Sequence, residues 1–254
     1  MIAPTRMALM AACALSLTAP AARALDLNDM TEAEQTAFGA AVRSYLMENP
    51  EVILEAVDVL EQQQAQADAR RDEALVAANL QELQDDGYSW VGGNPDGDIT
   101  LVEFMDYRCG YCRRAAPEVE ALLAADSNIR FVIKELPILG DASVLSSRFA
   151  IATKLVAGDA AYKDIHDTLL AFKGEPNEVA MRRMAEGLSL DADAILAKMD
   201  APEVNEQLRR TRTLAQTLSI SGTPTFVLEE EMLRGYLPAD QIQIMIEEIR
   251  AARS

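Results

Sequence analysis

The chain has 254 residues, half of them hydrophobic and a quarter charged, with a formal net charge of −18. That composition is globular rather than disordered, and so anionic a chain repels phosphate backbones and acidic lipid surfaces, which argues against a nucleic-acid or membrane-surface binder. No apolar run reaches the roughly 18 residues of a membrane-spanning helix.

Residues 1–24 read as an export signal. Arg6 supplies a basic start, residues 7–17 an apolar middle, and Ala22-Arg23-Ala24 a small-x-small cleavage site. An exported protein works where thiols are oxidised. Cys13 falls in the discarded segment, which leaves Cys109 and Cys112 in the mature chain. A bridge across two intervening residues removes little entropy from the unfolded state, so this pair reads as chemistry rather than as a staple.

From residue 25 to about 86 the pattern is helical. Thr31 with Glu34 fits a capping box, followed by an apolar stripe of Phe38, Val42, Tyr45 and Leu46. Asn49-Pro50-Glu51 reads as a second helix start, with Asn49 as its cap. Ile53, Val57 and Leu60 continue the stripe, and residues 61–73 are then polar all round. Such a helix either bridges between bodies or lies on a neighbouring domain, and we read residues 25–86 as an arm able to form a homo-oligomer.

Gly87 breaks the helical run, and residues 94–97 (NPDG) form a turn. Residues 99–106 (ITLVEFMD) and 129–135 (IRFVIKE) read as strands, with a helix from 109 to about 123 between them. Residues 141–218 read as a block of helices, punctuated at Gly158, at 174–176, at Asp191 and at Pro202. Two short strands, 225–229 and 231–234, precede a last helix opened by Pro238. This order predicts an α/β domain over residues 87–254: a central mixed sheet flanked by helices, interrupted by a helical insertion.

Cys109-Gly110-Tyr111-Cys112 directly follows a strand and opens a helix. The helix N-terminus favours negative charge, so Cys109 is expected as an exposed, ionised nucleophile of lowered pKa, and Cys112, further inside, as the resolving thiol. Zinc requires about four ligands, and no such set is present. A Cu(I) site on two thiolates stays open only as a secondary reading, because the methionines are scattered rather than clustered; neither metal nor cofactor is expected. Strand alternation puts Glu103 with Ile99, Leu101 and Met105, where burial would raise its pKa and suit it to accept a proton from Cys112. The competing reading is a solvated edge-strand carboxylate, or a pair with Lys134. Ser221-Gly222-Thr223-Pro224-Thr225 precedes a strand and is a place for a cis X-Pro bond, beside which an extended peptide could add as a strand. His166 reads as a surface or lightly buried helical residue, and Trp90 as packing.

Residues 99–112 (ITLVEFMDYRCGYC) and 221–228 (SGTPTFVL), separated by a helical insertion, resemble the DsbA family of thioredoxin-fold thiol-disulfide oxidoreductases. The resemblance implies a thioredoxin fold, a periplasmic location and a redox disulfide Cys109–Cys112. It implies Glu103 as the buried acid and Thr223-Pro224 as the cis-proline loop. Cysteine-containing exported proteins would be the clients, and a membrane redox partner would reset the pair. Residues 45–53 (YLMENPEVI) are similar to the suppressor-of-copper-sensitivity C subgroup, whose N-terminal extension can oligomerise. Gly110, Tyr111 and Thr223 depart from the DsbA oxidase pattern and resemble the isomerase DsbC, which implies a less oxidising pair; Thr223, Pro224, Gly110 and Tyr111 are the expected substrate-binding residues. An isomerase or reductase is therefore expected ahead of a monomeric oxidase or a copper-tolerance protein.

Overall fold

A computed structural model of the chain describes residues 27 and 29–253, so the expected export signal, with Cys13, lies outside the described residues. The chain divides into two compact units, Met1–Glu61 and Gln62–Ser254.

Within the first unit, α1 (Glu32–Glu48) begins with the capping box expected from Thr31 and Glu34. The Thr31 N–H donates to the Glu34 carboxylate at 2.8 Å, and the Glu34 N–H reaches Thr31 Oγ1 at 3.3 Å. Helix α2 (Glu51–Ala78) follows after Pro50. Asn49 does not cap α2: its side-chain amide and its backbone N–H both donate to the Tyr45 carbonyl. An Asn between two helices can serve either neighbour, and here it satisfies a carbonyl in the last turn of the first. Helix α1 buries no residue, and Phe38, Tyr45, Ile53, Leu54, Val57 and Leu60 are exposed.

In the second unit, α3 (Leu80–Gln84) leads to β1 (Trp90–Gly93), β2 (Ile99–Met105), α4 (Gly110–Ala125) and β3 (Ile129–Glu135). The insertion comprises α5 (Asp141–Ala171), bent at Gly158 with φ 86°, then α6 (Glu178–Gly187), α7 (Ala192–Lys198) and α8 (Pro202–Thr217). Asp191 caps α7 by accepting from the Ala194 N–H at 3.0 Å, and Pro202 opens α8. Strands β4 (Thr225–Leu228) and β5 (Glu231–Arg234) and helix α9 (Ala239–Ala252) complete the unit.

The strands form one mixed sheet in the order β1-β3-β2-β4-β5. Only β2 and β3 run parallel, as the α4 crossover between them requires. Strand β1 carries too short a pattern to be read from sequence. Its Trp90 ring folds over Gly92, where a Cβ would lie 2.0 Å from the indole. It also stacks on Tyr162 at 5.7 Å and donates from Nε1 to the Asp159 carbonyl, so Trp90 is packing.

Strand β2 is central and buried along its whole length, and its alternation divides the core in two. Ile99, Leu101 and Met105 face a layer shared with α4, α5 and α9, while Val102 and Phe104 face Val76, Leu83, Leu214 and Leu218. Glu103 belongs to the first layer. In register it opposes Ile133, and Lys134 opposes Phe104, so Glu103 and Lys134 lie on opposite faces and cannot pair. Lys134 is instead buried against Asp86 and donates to the Glu82 carbonyl at 2.6 Å.

Candidate functional site: two cysteines at the start of α4

Cys109 is the N-cap residue of α4, and its Sγ lies 3.1 Å from the Thr223 carbonyl oxygen, to which the thiol donates. Helix α4 has no acidic residue in its first turn, and its free N–H groups point toward the cysteine end. Cys109 is less open than expected, with 7% of its surface accessible, because the Thr223 loop covers it. Cys112, one turn on, is 1% exposed. Burial pushes the Cys112 thiol up, and the Glu103 carboxylate pushes it further. Both cysteines are free thiols.

The two residues between the cysteines are open to solvent. Tyr111 is 62% exposed, and a Cβ added at Gly110 would meet nothing within 4 Å. Exposed Ile138 and Leu139 follow β3. The Thr223–Pro224 peptide bond is cis, with Thr223 half-buried and Pro224 buried. Gly235 donates to the Pro224 carbonyl at 3.0 Å, which ties the loop to the end of β5.

Asp106, just past the end of β2, is fully buried and braces the site. One carboxylate oxygen accepts from the Arg108 N–H at 2.8 Å, the other from Ile138 and Leu139 at 2.8 and 3.1 Å. The loop carrying Cys109 and the loop after β3 are thereby joined. The sequence offered only a faint signal for it, an Asp at a strand end preceding a turn.

Glu103 is 5% exposed and stands behind the cysteines. Burial, then repulsion from Glu135, raises its carboxyl to about 8. Glu103 and Cys112 line one small cavity of about 20 Å³ together with Phe131, Lys163, His166 and Asp167.

A second buried carboxylate, Glu135, was not singled out by the sequence. It accepts hydrogen bonds from Tyr107 at 2.7 Å, Tyr162 at 2.6 Å and Ser147 at 2.7 Å. Burial raises its carboxyl to about 7 despite these three donors. His166 is not a surface residue: it is 6% exposed, stacks on Tyr162 at 5.8 Å and contacts the Tyr107 hydroxyl through Nδ1 at 3.0 Å. Helix α5 turns that face onto the sheet, and burial, then Lys163, depresses the imidazole to about 3. Among the described residues no group of three or more His, Cys, Asp or Glu side chains is placed to hold a metal ion.

Comparison with known proteins places this geometry in context. The DSBA-like thioredoxin domain matches residues 100–247, and the copper resistance protein ScsC N-terminal domain matches residues 34–67. The chain is similar to a thioredoxin-like oxidoreductase from Silicibacter pomeroyi, at 38% identity and a TM-score of 0.63, over 67% of this chain and 97% of that one. It is similar to BcfH of Salmonella enterica Typhimurium at 28% identity and a TM-score of 0.72, covering 85% of this chain and 95% of that one. A Na(+)/H(+) antiporter, NhaA 3 of Salinispora tropica, is 33% identical over 165 residues, which is 63% of this chain. The chain spans about a quarter of the length of the antiporters it matches first. No helix among the described residues is long and apolar enough to cross a membrane.

Proposed function

The chain belongs to the DSBA-like thioredoxin domain family of thiol-disulfide oxidoreductases, and on that premise we propose that it is an exported protein-disulfide isomerase or reductase working through Cys109 and Cys112. The observation that carries the reading is the placement of Cys109 Sγ at the N-terminus of α4 beneath the Thr223 carbonyl. An anion there is favoured by the helix dipole, and a client sulfur approaching it meets backbone acceptors and donors of the Thr223-Pro224 loop.

In the forward step the Cys109 thiolate attacks one sulfur of a client disulfide. A Cys109–client bond forms, and the second client sulfur leaves with the electron pair. Reshuffling then follows when another client thiolate displaces Cys109. Reduction follows instead when Cys112 displaces the client, which oxidises the Cys109–Cys112 dithiol to a disulfide. Glu103, which lines the same cavity as Cys112 and acts on its thiol electrostatically, is the carboxylate assigned to take the Cys112 proton as that sulfur attacks. Tyr111 and Gly110 form the open platform on which the client lies. A membrane redox partner would return the pair to the dithiol.

The exposed apolar side chains of α1 and the start of α2 support self-association, because a monomer gains nothing from presenting them to water. Several sites facing one client would let one hold it while another reshuffles. A monomeric oxidase is the alternative outcome, and a copper role would rest on the two thiols alone. Turnover of a scrambled, disulfide-bonded substrate by Cys109→Ser is the test. Its loss is expected, and wild-type turnover in that variant would overturn the reading.

A further inference from the structure

The chain carries 41 acidic residues, yet the segments that border the cysteine pair contain none of them. Residues 107–117, 136–140, 218–228 and 235–239 are free of Asp and Glu. Three contacts bring these segments together. Asp106 ties the loop after β3 to the Arg108 N–H, Cys109 donates to the Thr223 carbonyl, and Gly235 donates to the Pro224 carbonyl. The carboxylates that reach this region are already occupied. Asp106 is buried under its three N–H groups, Glu175 pairs with Arg108 at 3.1 Å, and Glu118 accepts from the Tyr236 hydroxyl at 2.9 Å and the Ala239 N–H at 3.0 Å. Asp141 and Asp240 follow two of the segments, each in the first turn of its helix, where the dipole offsets part of its charge.

The same region holds three guanidinium groups that have no carboxylate at ion-pair distance among the described residues. Arg113 commits only Nε, to the Tyr107 carbonyl at 2.8 Å, and its terminal N–H groups meet no protein acceptor there. Arg114 is exposed and sits over the Tyr236 ring at 4.6 Å, next to the cis-proline loop, where the ring holds the charge in place without neutralising it. Arg212, exposed on α8, reaches only the Pro137 carbonyl, at 3.4 Å, beside the loop after β3. Guanidinium groups match carboxylates through paired N–H donors, and they do so better than ammonium groups. Around the two sulfurs the field of an otherwise anionic chain is therefore reversed.

We propose that Arg113, Arg114 and Arg212 select clients whose exchanging cysteine is flanked by Asp or Glu. The inference rests on the thiol-exchange reading and deepens it by naming a substrate class. A net charge of −18 repels an acidic client from most of the surface, so the favourable approach is the one that brings its carboxylates to this face. That approach delivers the client disulfide to Cys109 and orients it on the Thr223-Pro224 loop before any bond changes. The covalent step is the same for every client: Cys109 sulfur bonds to one client sulfur, and the other leaves with the electron pair. A short acidic segment fits such a patch better than a long polyanion, whose outlying phosphates would meet the acidic remainder of the surface.

The test uses the reduced full chain and two peptide disulfides that differ only in the residues beside cysteine, Asp in one and Lys in the other. Formation of the mixed disulfide with Cys109 is timed at low ionic strength. Each rate is divided by that of the same peptide with free 2-mercaptoethanol, which removes the effect of the flanking charge on the leaving sulfur. The acidic peptide is expected to react at least about tenfold faster than the basic one, and added salt should shrink that ratio. In Arg113→Gln/Arg114→Gln/Arg212→Gln the ratio should fall to one or below. Arg114→Gln/Arg212→Gln, which keeps the Arg113 contact to Tyr107, should lose part of it. Because the ratio is taken within each protein, any change in the Cys109 nucleophile cancels. Equal rates for the two peptides with the wild-type chain, a faster basic peptide, or an undiminished ratio in the triple variant would overturn the proposal. If neither peptide forms a mixed disulfide with the wild-type chain, the thiol-exchange reading fails first and takes the proposal with it, so the two failures are separable.

Discussion

Glu103 and Glu135 sit on adjacent parallel strands two register positions apart, and both turn their carboxyls into the same buried layer. Each binds its proton more tightly in the folded chain than in the unfolded one, with Glu103 raised from 4.5 to about 8 and Glu135 to about 7. Between these values the folded state holds more protons, so both carboxyls make stability fall as pH rises through that window. Glu103→Gln should remove part of the slope. The reduced variant is expected to exceed wild type by on the order of 3 kcal/mol near pH 8 and by little near pH 4. Urea denaturation at both pH values checks this, and parallel profiles for the two proteins would refute it.

The two thiols differ in access and environment, and their reactivities should separate. Cys109 keeps a small exposed surface at the helix end, whereas Cys112 is covered and faces the Glu103 carboxylate. Limited alkylation of the dithiol followed by peptide mapping should find label on Cys109 at least ten times as often as on Cys112. Cys112→Ser should accumulate mixed disulfides with clients, because nothing inside the site then displaces them. Equal labelling of both cysteines would be incompatible with the arrangement.

Asp106 holds three backbone N–H groups from two loops. Asp106→Ala leaves them to partial hydration and should cost about 2 kcal/mol of stability. Because those loops frame the cysteines, exchange should slow even below the melting transition. Thermal unfolding together with peptide-disulfide exchange at a temperature where the variant is fully folded measures both effects. Loss of stability with an unchanged exchange rate would restrict Asp106 to a scaffold role.

The exposed stripe on α1 and the start of α2 should self-associate. Val57→Glu together with Leu60→Glu is expected to lower the sedimentation mass to that of one chain. Simple peptide-disulfide exchange should be left intact, while refolding of a scrambled multi-disulfide substrate should fall several-fold. If the wild-type chain sediments as a monomer, residues 25–86 are not an oligomerisation arm and the oxidase alternative gains.

Much of the site was written locally. The CGYC pair after a strand and before a helix, the capping box of Thr31 and Glu34, and the inward phase of Glu103 all depend on residues close in sequence, so periodicity and spacing expose them. The Thr223-Pro224 loop gave a weaker local signal, an X-Pro step before a strand, which the family pattern sharpened. By contrast, Lys134 was read as a possible partner of Glu103 because both occur on strands predicted to be neighbours. Register alone decides the face, and it turns Lys134 to Asp86, far earlier in the chain.

Residue types and their order thus determined the mixed sheet, the helical insertion and the strand-to-helix junction that presents two sulfurs. Only the packed chain decided that Glu135, Tyr107, Tyr162 and His166 form one buried network, and that Cys109 lies beneath the Thr223 carbonyl. Tyr107 meets partners 28 and 59 residues away, and Cys109 meets one 114 residues away. Such pairings are set by how α5 and the Thr223 loop close over the sheet. Helical periodicity can mark an inward face, but it does not name what that face will touch.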